Sequence, residues 1–206
     1  MEKLAERLYY IPASDDPLSA DVGVFYGDNR IWLFDVGYGE KVLSQIREAC
    51  NMPAGKGKKI SIVISHFHPD HMGNINAFND ADIYVGANTR KYLDKGIVVD
   101  KDMYIDDGVK LHIFPFPSSH AKGSLGFEIE ESYVWLGDGA YTTVINGMSC
   151  YNAGVLLEGI KVLKALAAEN VLLSHQKRIV RDKAAVVSWL EKIYNSRKAN
   201  EPYIKA

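Results

Sequence analysis

Six histidines are spread over 206 residues, and three fall within six positions in the run His66-Phe67-His68-Pro69-Asp70-His71. Imidazole and carboxylate are the groups that bind borderline divalent metals. The run directly follows Lys59–Ser65 (KISIVIS), a β-branched stretch that reads as a buried strand. Alternate side chains of an extended segment share a side, so His66, His68 and Asp70 are expected to converge on one point. Pro69 fixes its own φ and biases His68 towards extended geometry. His71 is out of phase and needs a bend, which Gly73 permits. A lone histidine would read as part of a polar surface loop. Three histidines and an aspartate at the end of a buried strand are costly to leave unpaired, and a bound metal is the better reading.

Three more metal-ligand types occur singly at or near strand ends. His120 lies in Pro117-Ser118-Ser119-His120-Ala121-Lys122-Gly123, between two strand patterns. Asp138 follows the apolar stretch Tyr133–Leu136 in WLGDG, and His175 follows Asn170–Leu173 in LLSHQ. Each alone is unremarkable; their order after the histidine cluster is the stronger signal.

The pattern H-x-H-x-D-H, then a lone His, then Gly-Asp, then a strand-terminal His resembles the metallo-β-lactamase superfamily. Asp35 in FDVG is similar to that family's early Asp-x-Gly element, with a structural role of holding the site loops. The resemblance extends from the first hairpin to His175. It implies two divalent ions, Zn²⁺ by preference with Fe or Mn admitted by the same donors. His66, His68 and His120 would hold the first, and Asp70, His71 and His175 the second, with Asp138 bridging both. An aspartate in the bridging place is similar to the glyoxalase II-like branch, which cleaves thioesters, lactones or phosphodiesters. The β-lactamases proper lack that Asp, and the iron-containing redox branch typically has Glu where this chain has His68. Cys150 sits outside any ligand motif.

The implied chemistry is hydrolysis by a metal-bridging hydroxide, with Asp70 both ligating and orienting it. The cationic centre favours a substrate that becomes an oxyanion when attacked. Tyr141, three residues past Asp138, is a candidate oxyanion donor set against plain packing. Lys122, Lys177 and Arg178 follow ligand loops and can meet an anionic substrate, with surface solvation as the alternative. Tyr92, Met103 and Tyr104 are candidate lid residues, and His112 reads as structural or exposed. The leading function is a hydrolase of a small ester-like substrate, a thioester or lactone. The rivals are a phosphodiesterase or nuclease of the same fold, and a non-catalytic metal-bound sensor or binding module.

The elements that must position these residues can be read from periodicity. Arg7–Ile11, Asp21–Tyr26 and Arg30–Asp35 are extended, and Gly27-Asp28-Asn29 should close a hairpin between the last two. Glu40–Cys50 places Val42, Leu43, Ile46 and Ala49 at helical spacing. After a Pro/Gly/Lys loop, Asn51–Lys59, comes the buried strand, and then HFHPDHMGN, which fits no regular element. Asp82–Val85 reads as a strand, Asn88–Lys95 as a short helix capped by Asn88, and Gly96–Gly108 as an irregular loop. Strands follow around Val109–Phe114, at Leu125–Ile129 and at Tyr133–Leu136. An amphipathic helix should span Ala153–Ala168. Asn170–Leu173 is a strand, and Asp182–Lys198 a final helix burying Val186, Trp189, Leu190 and Ile193. Strands dominate each half and a helix closes it. That order predicts an α/β architecture, a four-layer αββα sandwich, in one domain over residues 1–206. One weak echo is present: IWLFDVG and VWLGDG both run from an apolar strand into Asp and Gly.

Composition excludes little but points one way. The chain is 47% hydrophobic and 24% charged with a net charge of −2, so nothing recruits nucleic acid or an anionic membrane. The N-terminal MEKLAERLYYIP lacks the apolar core of a secretory signal, and Cys50 and Cys150 are too few for a disulfide framework. The expectation is a cytoplasmic protein with free thiols acting on a small molecule.

Overall fold

Alternate residues of the apolar strands face two different cores. In the computed structural model, which describes residues 1–206, Ile31 and Leu33 pack in one cluster while Trp32 and Phe34 pack in another. Ile62 and Ile64 separate from Val63 in the same way. A strand buried on both faces needs no polar alternation, which is why RIWLF and KISIVI read as continuous apolar runs.

The first sheet is built from the N-terminal half. Strands β1 (Glu2–Lys3) and β2 (Leu8–Ile11) are followed by a small hairpin, β3 (Ser14–Asp15) and β4 (Leu18–Ser19). Then come β5 (Val22–Tyr26), β6 (Arg30–Phe34), α1 (Glu40–Asn51), β7 (Lys59–Ile64), α2 (Pro69–Met72), β8 (Asp82–Val85) and β9 (Ile97–Val98). The sheet order is β1-β2-β5-β6-β7-β8-β9, with β5–β6 the expected antiparallel hairpin and β6–β7–β8 parallel. Helix α1 buries Val42, Leu43, Ile46 and Ala49 against it.

The second sheet uses β10 (Met103–Asp106), β11 (Lys110–Phe116), β12 (Ser124–Ile129) and β13 (Tyr133–Gly137). Strands β14 (Thr143–Ile145) and β15 (Met148–Asn152) leave it and lead into α3 (Ala153–Ala165). The chain returns through β16 (Asn170–Leu173), β17 (Val180–Asp182) and α4 (Lys183–Asn195), and ends in β18 (Tyr203–Lys205). The order is β10-β11-β12-β13-β16-β17, with β13 and β16 parallel, while β14-β15-β18 form a separate three-stranded sheet. Asn152 caps α3 by accepting from Val155 N at 3.0 Å, and Asp182 caps α4 by accepting from Ala185 N at 2.7 Å.

Three apolar clusters define the layers. One lies between α1 and the first sheet, one between the second sheet and helices α3 and α4, and one between the sheets. The middle cluster is aromatic, with Phe34 5.6 Å from Trp135 and Trp32 5.9 Å from Phe127 between ring centroids. The result is the expected αββα sandwich. One end is clamped at Asp107, which accepts from Asn29 N at 2.7 Å and Trp32 Nε1 at 2.9 Å. A side chain on Gly27 would overlap the Asp107 carboxylate, so this turn must be glycine.

Several expectations need correction. HFHPDHMGN is not wholly irregular: Pro69 occupies the first position of α2, where its missing N–H costs nothing. Asn88 caps no helix; it precedes a 3-10 turn, Thr89–Tyr92, and makes no side-chain cap bond. Gly96–Gly108 contains β9 and β10. Helix α3 ends at Ala165, earlier than its apolar pattern suggests. Trp189 is 40% exposed, because α4 buries Val186, Val187 and Leu190.

Candidate metal centre

The parallel pairs β6–β7 and β13–β16 end at one edge of the sandwich, and the loops leaving their C-terminal ends bring the sequence-selected residues together. This is where α/β architectures place their sites. His66 and His68 leave β7, Asp70 and His71 sit on α2, and His120 lies in the β11–β12 loop. Asp138 follows β13, and His175 follows β16.

Asp35, fully buried after β6, organises the centre. It accepts from Ser65 N at 2.7 Å, Ser65 Oγ at 2.8 Å and His71 Nδ1 at 2.7 Å. With the Ser65 hydroxyl donating to Asp35, His66 Nδ1 donates to Ser65 Oγ at 2.9 Å. His120 Nδ1 donates to the Thr142 carbonyl at 3.0 Å. These partners assign the tautomers, so in the neutral form that ligates a metal His66 Nε2, His71 Nε2 and His120 Nε2 each carry a lone pair.

The lone pairs point at one another. His68 Nδ1 lies 2.9 Å from His66 Nε2 and 3.0 Å from His120 Nε2, so one proton on His68 can satisfy only one neighbour. In a second group, His175 Nε2 is 3.1 Å from Asp70 Oδ2, and His71 Nε2 is 3.5 Å from the same oxygen. Asp138 Oδ2 lies between the groups, 3.3 Å from His71 Nε2 and 3.5 Å from His120 Nε2. His71 Nε2 and Asp138 Oδ1 are buried with no hydrogen-bond partner. Of the six buried side-chain atoms without a partner, these two belong to the ligand cluster, and together with its crowded nitrogens and oxygens they leave a place for a cation.

Electrostatics agree. Burial and the surrounding imidazoles push His66 far below the ordinary histidine range, keeping it neutral. Burial opposes a charge on His71, yet the Asp35 and Asp138 carboxylates outweigh it and push its pKa up to about 10. Asp138 is buried too, but His71 holds its carboxyl below the usual range. Protein groups alone therefore draw a positive charge to the middle of the cluster. Asp35 and His175 both have positive φ, 60° and 62°, an unfavourable backbone that marks imposed geometry.

The alternation argument needs correction. It holds from His66 to His68 and stops there, because α2 turns Asp70 away to His175. Tyr141 is also corrected: its hydroxyl donates to the Ser174 carbonyl at 2.6 Å and accepts from Gln176 at 2.8 Å, so no free donor remains for an oxyanion. Of the lid candidates, Tyr92 stacks on Phe67 at 4.5 Å beside His68, whereas Met103 and Tyr104 lie on edge strand β10. Tyr104 stacks there on His112, which is paired with Glu128 at 3.1 Å and is structural. Lys177 and Arg178 are exposed.

Two supporting residues have no motif of their own. Ser65 links Asp35 to His66. Asp21, buried, accepts from His175 N at 3.0 Å and Ala13 N at 3.0 Å, fixing the His175 loop. Ser65 is detectable as the residue joining a buried strand to a ligand cluster; Asp21, 154 positions from His175, has no local signal.

No protein-family model and no curated protein matches this sequence, but solved structures do. A metallo-β-lactamase from Pontibacter korlensis superposes with a TM-score of 0.72 at 14% identity, covering 95% of this chain and 98% of that one. An archaeal metallo-β-lactamase superfamily protein from Sulfolobus tokodaii gives 0.62 at 17% identity, over 96% and 90%. The flavodiiron protein from Giardia intestinalis gives 0.70 at 11% identity, over 93% of this chain and 58% of that one. No helix is long and apolar enough to cross a membrane. Sheet order, layer order and these superpositions agree that the chain has the metallo-β-lactamase fold.

Proposed function

We propose that the protein is a dinuclear metal-dependent hydrolase of a small ester-like substrate, a thioester or a lactone. The observation that carries this reading is the convergence of histidine lone pairs and carboxylate oxygens with Asp138 between the two groups. Divalent ions bound there, zinc by the donor set with Fe or Mn compatible, would supply an acidified water and polarisation of a carbonyl oxygen.

The residues divide the work. His66, His68 and His120 would hold one ion, Asp70, His71 and His175 the other, with Asp138 shared. Asp35 keeps His71 with its Nε2 lone pair facing inwards, the carboxylate–histidine pairing that tunes metal ligands. Asp70, beside His175, would both hold an ion and orient the attacking water towards the carbonyl carbon. Ser65 is hydrogen-bonded to Asp35 and Cys150 is buried, so neither is presented as a nucleophile. The aspartate between the groups supports the glyoxalase II-like branch, and a net charge of −2 gives no basic track for a nuclease.

The test is turnover of a panel of thioesters, lactones and phosphodiesters by zinc- or manganese-loaded protein, before and after chelation. Chelation-sensitive cleavage of a thioester or lactone is the expected result. Cleavage of phosphodiesters alone moves the protein to the phosphodiesterase reading. No turnover of any class with metal bound sinks the hydrolase reading and leaves a metal-bound sensor.

A further inference from the structure

We propose that Gly86, which ligates nothing, is a positioning residue for the metal centre: lacking a side chain, it lets the His120 loop seat where His120 can share an ion with His66 and His68. The inference rests on the metal-centre reading above. The three histidines come from different layers. His66 and His68 leave β7 of the first sheet, whereas His120 lies between β11 and β12 of the second. Their spacing is therefore set by how closely one loop approaches the strand ends of the first sheet.

That approach is made at two neighbouring strand ends. Val85 of β8 lies beside Ile64 of β7, which places Gly86 beside Ser65. The Ser65 carbonyl accepts from Leu125 N at 2.8 Å. At Gly86 the contact is steric: a Cβ there would stand 1.9 Å from the Gly123 carbonyl oxygen and 2.8 Å from its carbon. Gly86 lies outside the left-handed region, so close approach and not backbone conformation demands glycine. Gly123 has a φ of 73°, and its own Cβ would meet Asn88 N at 2.9 Å. The two loops meet backbone to backbone.

Neither side has slack. Ser118 Oγ accepts from His120 N at 3.1 Å, and Ser124 Oγ donates to the Ala121 carbonyl at 2.9 Å. Ala121 and Ser124 are buried, with Lys122 and Gly123 exposed between them. The segment after Gly86 is closed by Arg90 N, which donates to the Gly86 carbonyl at 2.9 Å. Carbon–oxygen contacts lie at about 3.3 Å, so Gly86→Ala must push the His120 loop back by about 1 Å or more. Zinc–imidazole distances tolerate about 0.2 Å. Asp70 and His71 on α2 and His175 after β16 stand on other elements, so the effect falls on one ion.

The test is zinc titration against a competing chelator, with cobalt spectra, on the parent and Gly86→Ala. One of two sites should weaken about 10–100-fold, the other should be unchanged, and the cobalt spectrum should alter. His120→Ala weakens the same site, and adding Gly86→Ala to it should weaken that site no further, because the two residues act through one group. Gly55→Ala is the control. Its Cβ would meet Ile31 Cδ1 at 2.8 Å and Cys50 O at 3.0 Å, beside the start of β6, so it should lower the urea midpoint and leave both sites intact. Two unchanged sites in Gly86→Ala, or an equal further loss in the His120→Ala background, overturns the inference. Should Gly86→Ala not fold, hydrogen exchange on the parent decides. Coupling is reciprocal, so the first zinc should slow exchange across residues 86–92 more than across 50–57; equal slowing overturns the inference. A parent that binds no metal defeats the metal-centre reading and the inference together, whereas a parent with two sites and an unaltered variant defeats the inference alone.

Discussion

At the scale of single residues, Asp70 and Asp138 hold similar groups in different places and should fail differently. Asp70→Asn keeps the shape but removes the charge that orients the water, and the histidine trio at His66, His68 and His120 is untouched. A strong fall in kcat with at least one metal retained is expected. Asp138→Ala removes an oxygen that lies against both groups, so loss or weakening of the second ion should accompany the fall in rate. Metal stoichiometry and steady-state kinetics on both variants separate the two; an Asp138→Ala protein with full metal and near-normal turnover would remove the bridge. Asp35→Ala frees His71 Nδ1 and leaves Ser65 without its acceptor. A 10–100-fold loss in metal affinity or activity, read by metal titration, is the order expected for such a supporting partner. The histidine cluster was legible in the sequence because its spacing is local. Asp21 was not, because its role is a contact made across the whole chain.

At the scale of elements, what could be read depended on length and period. The buried positions of helix α1 matched residue for residue and its end differed by one, since its apolar positions recur over three turns. Strands β14, β15 and β18 went unread: they are three to five residues long with mixed exposure, and they pair only with one another. The Trp189 error has the same origin, because the apolar side of α4 is wide enough to allow two rotations and only packing against the second sheet chooses Val187. The Asp182 cap was legible because capping is a local hydrogen bond. Asp182→Ala should cost about 1 kcal/mol, seen as a lower urea midpoint with metal content unchanged; no shift in the midpoint would mean that the cap contributes nothing to the folded state.

At the scale of the whole molecule, the echo between IWLFDVG and VWLGDG acquires a meaning. Both strands precede an outer helix and pair in parallel with the strand that follows it, and each delivers an aspartate to the same edge. The sequence could show the two apolar strands but not that their ends meet. The opposite end is held by Asp107, whose burial favours protonation but whose bonds from Trp32 and Asn29 win and hold its pKa below the usual range. A depressed folded-state pKa stabilises above the ordinary aspartate value of about 3.9 and is lost as pH falls through the folded value. Asp107→Asn turns one acceptor into a donor facing an N–H, so a loss of about 1–3 kcal/mol at pH 7 is expected. Thermal melts should show the gap to the parent protein narrowing below about pH 4; a gap independent of pH would mean that the carboxylate charge does not matter.

Elemental analysis of the protein after reconstitution with zinc or manganese and removal of free ions tests the central claim most directly. The account predicts close to two ions per chain, with the first retained when Asp70 becomes Asn. Protein that binds neither metal, while folded by circular dichroism, would contradict it, because the crowding of the His66, His68 and His120 ring nitrogens and the orphaned His71 Nε2 would then have no ion to explain them.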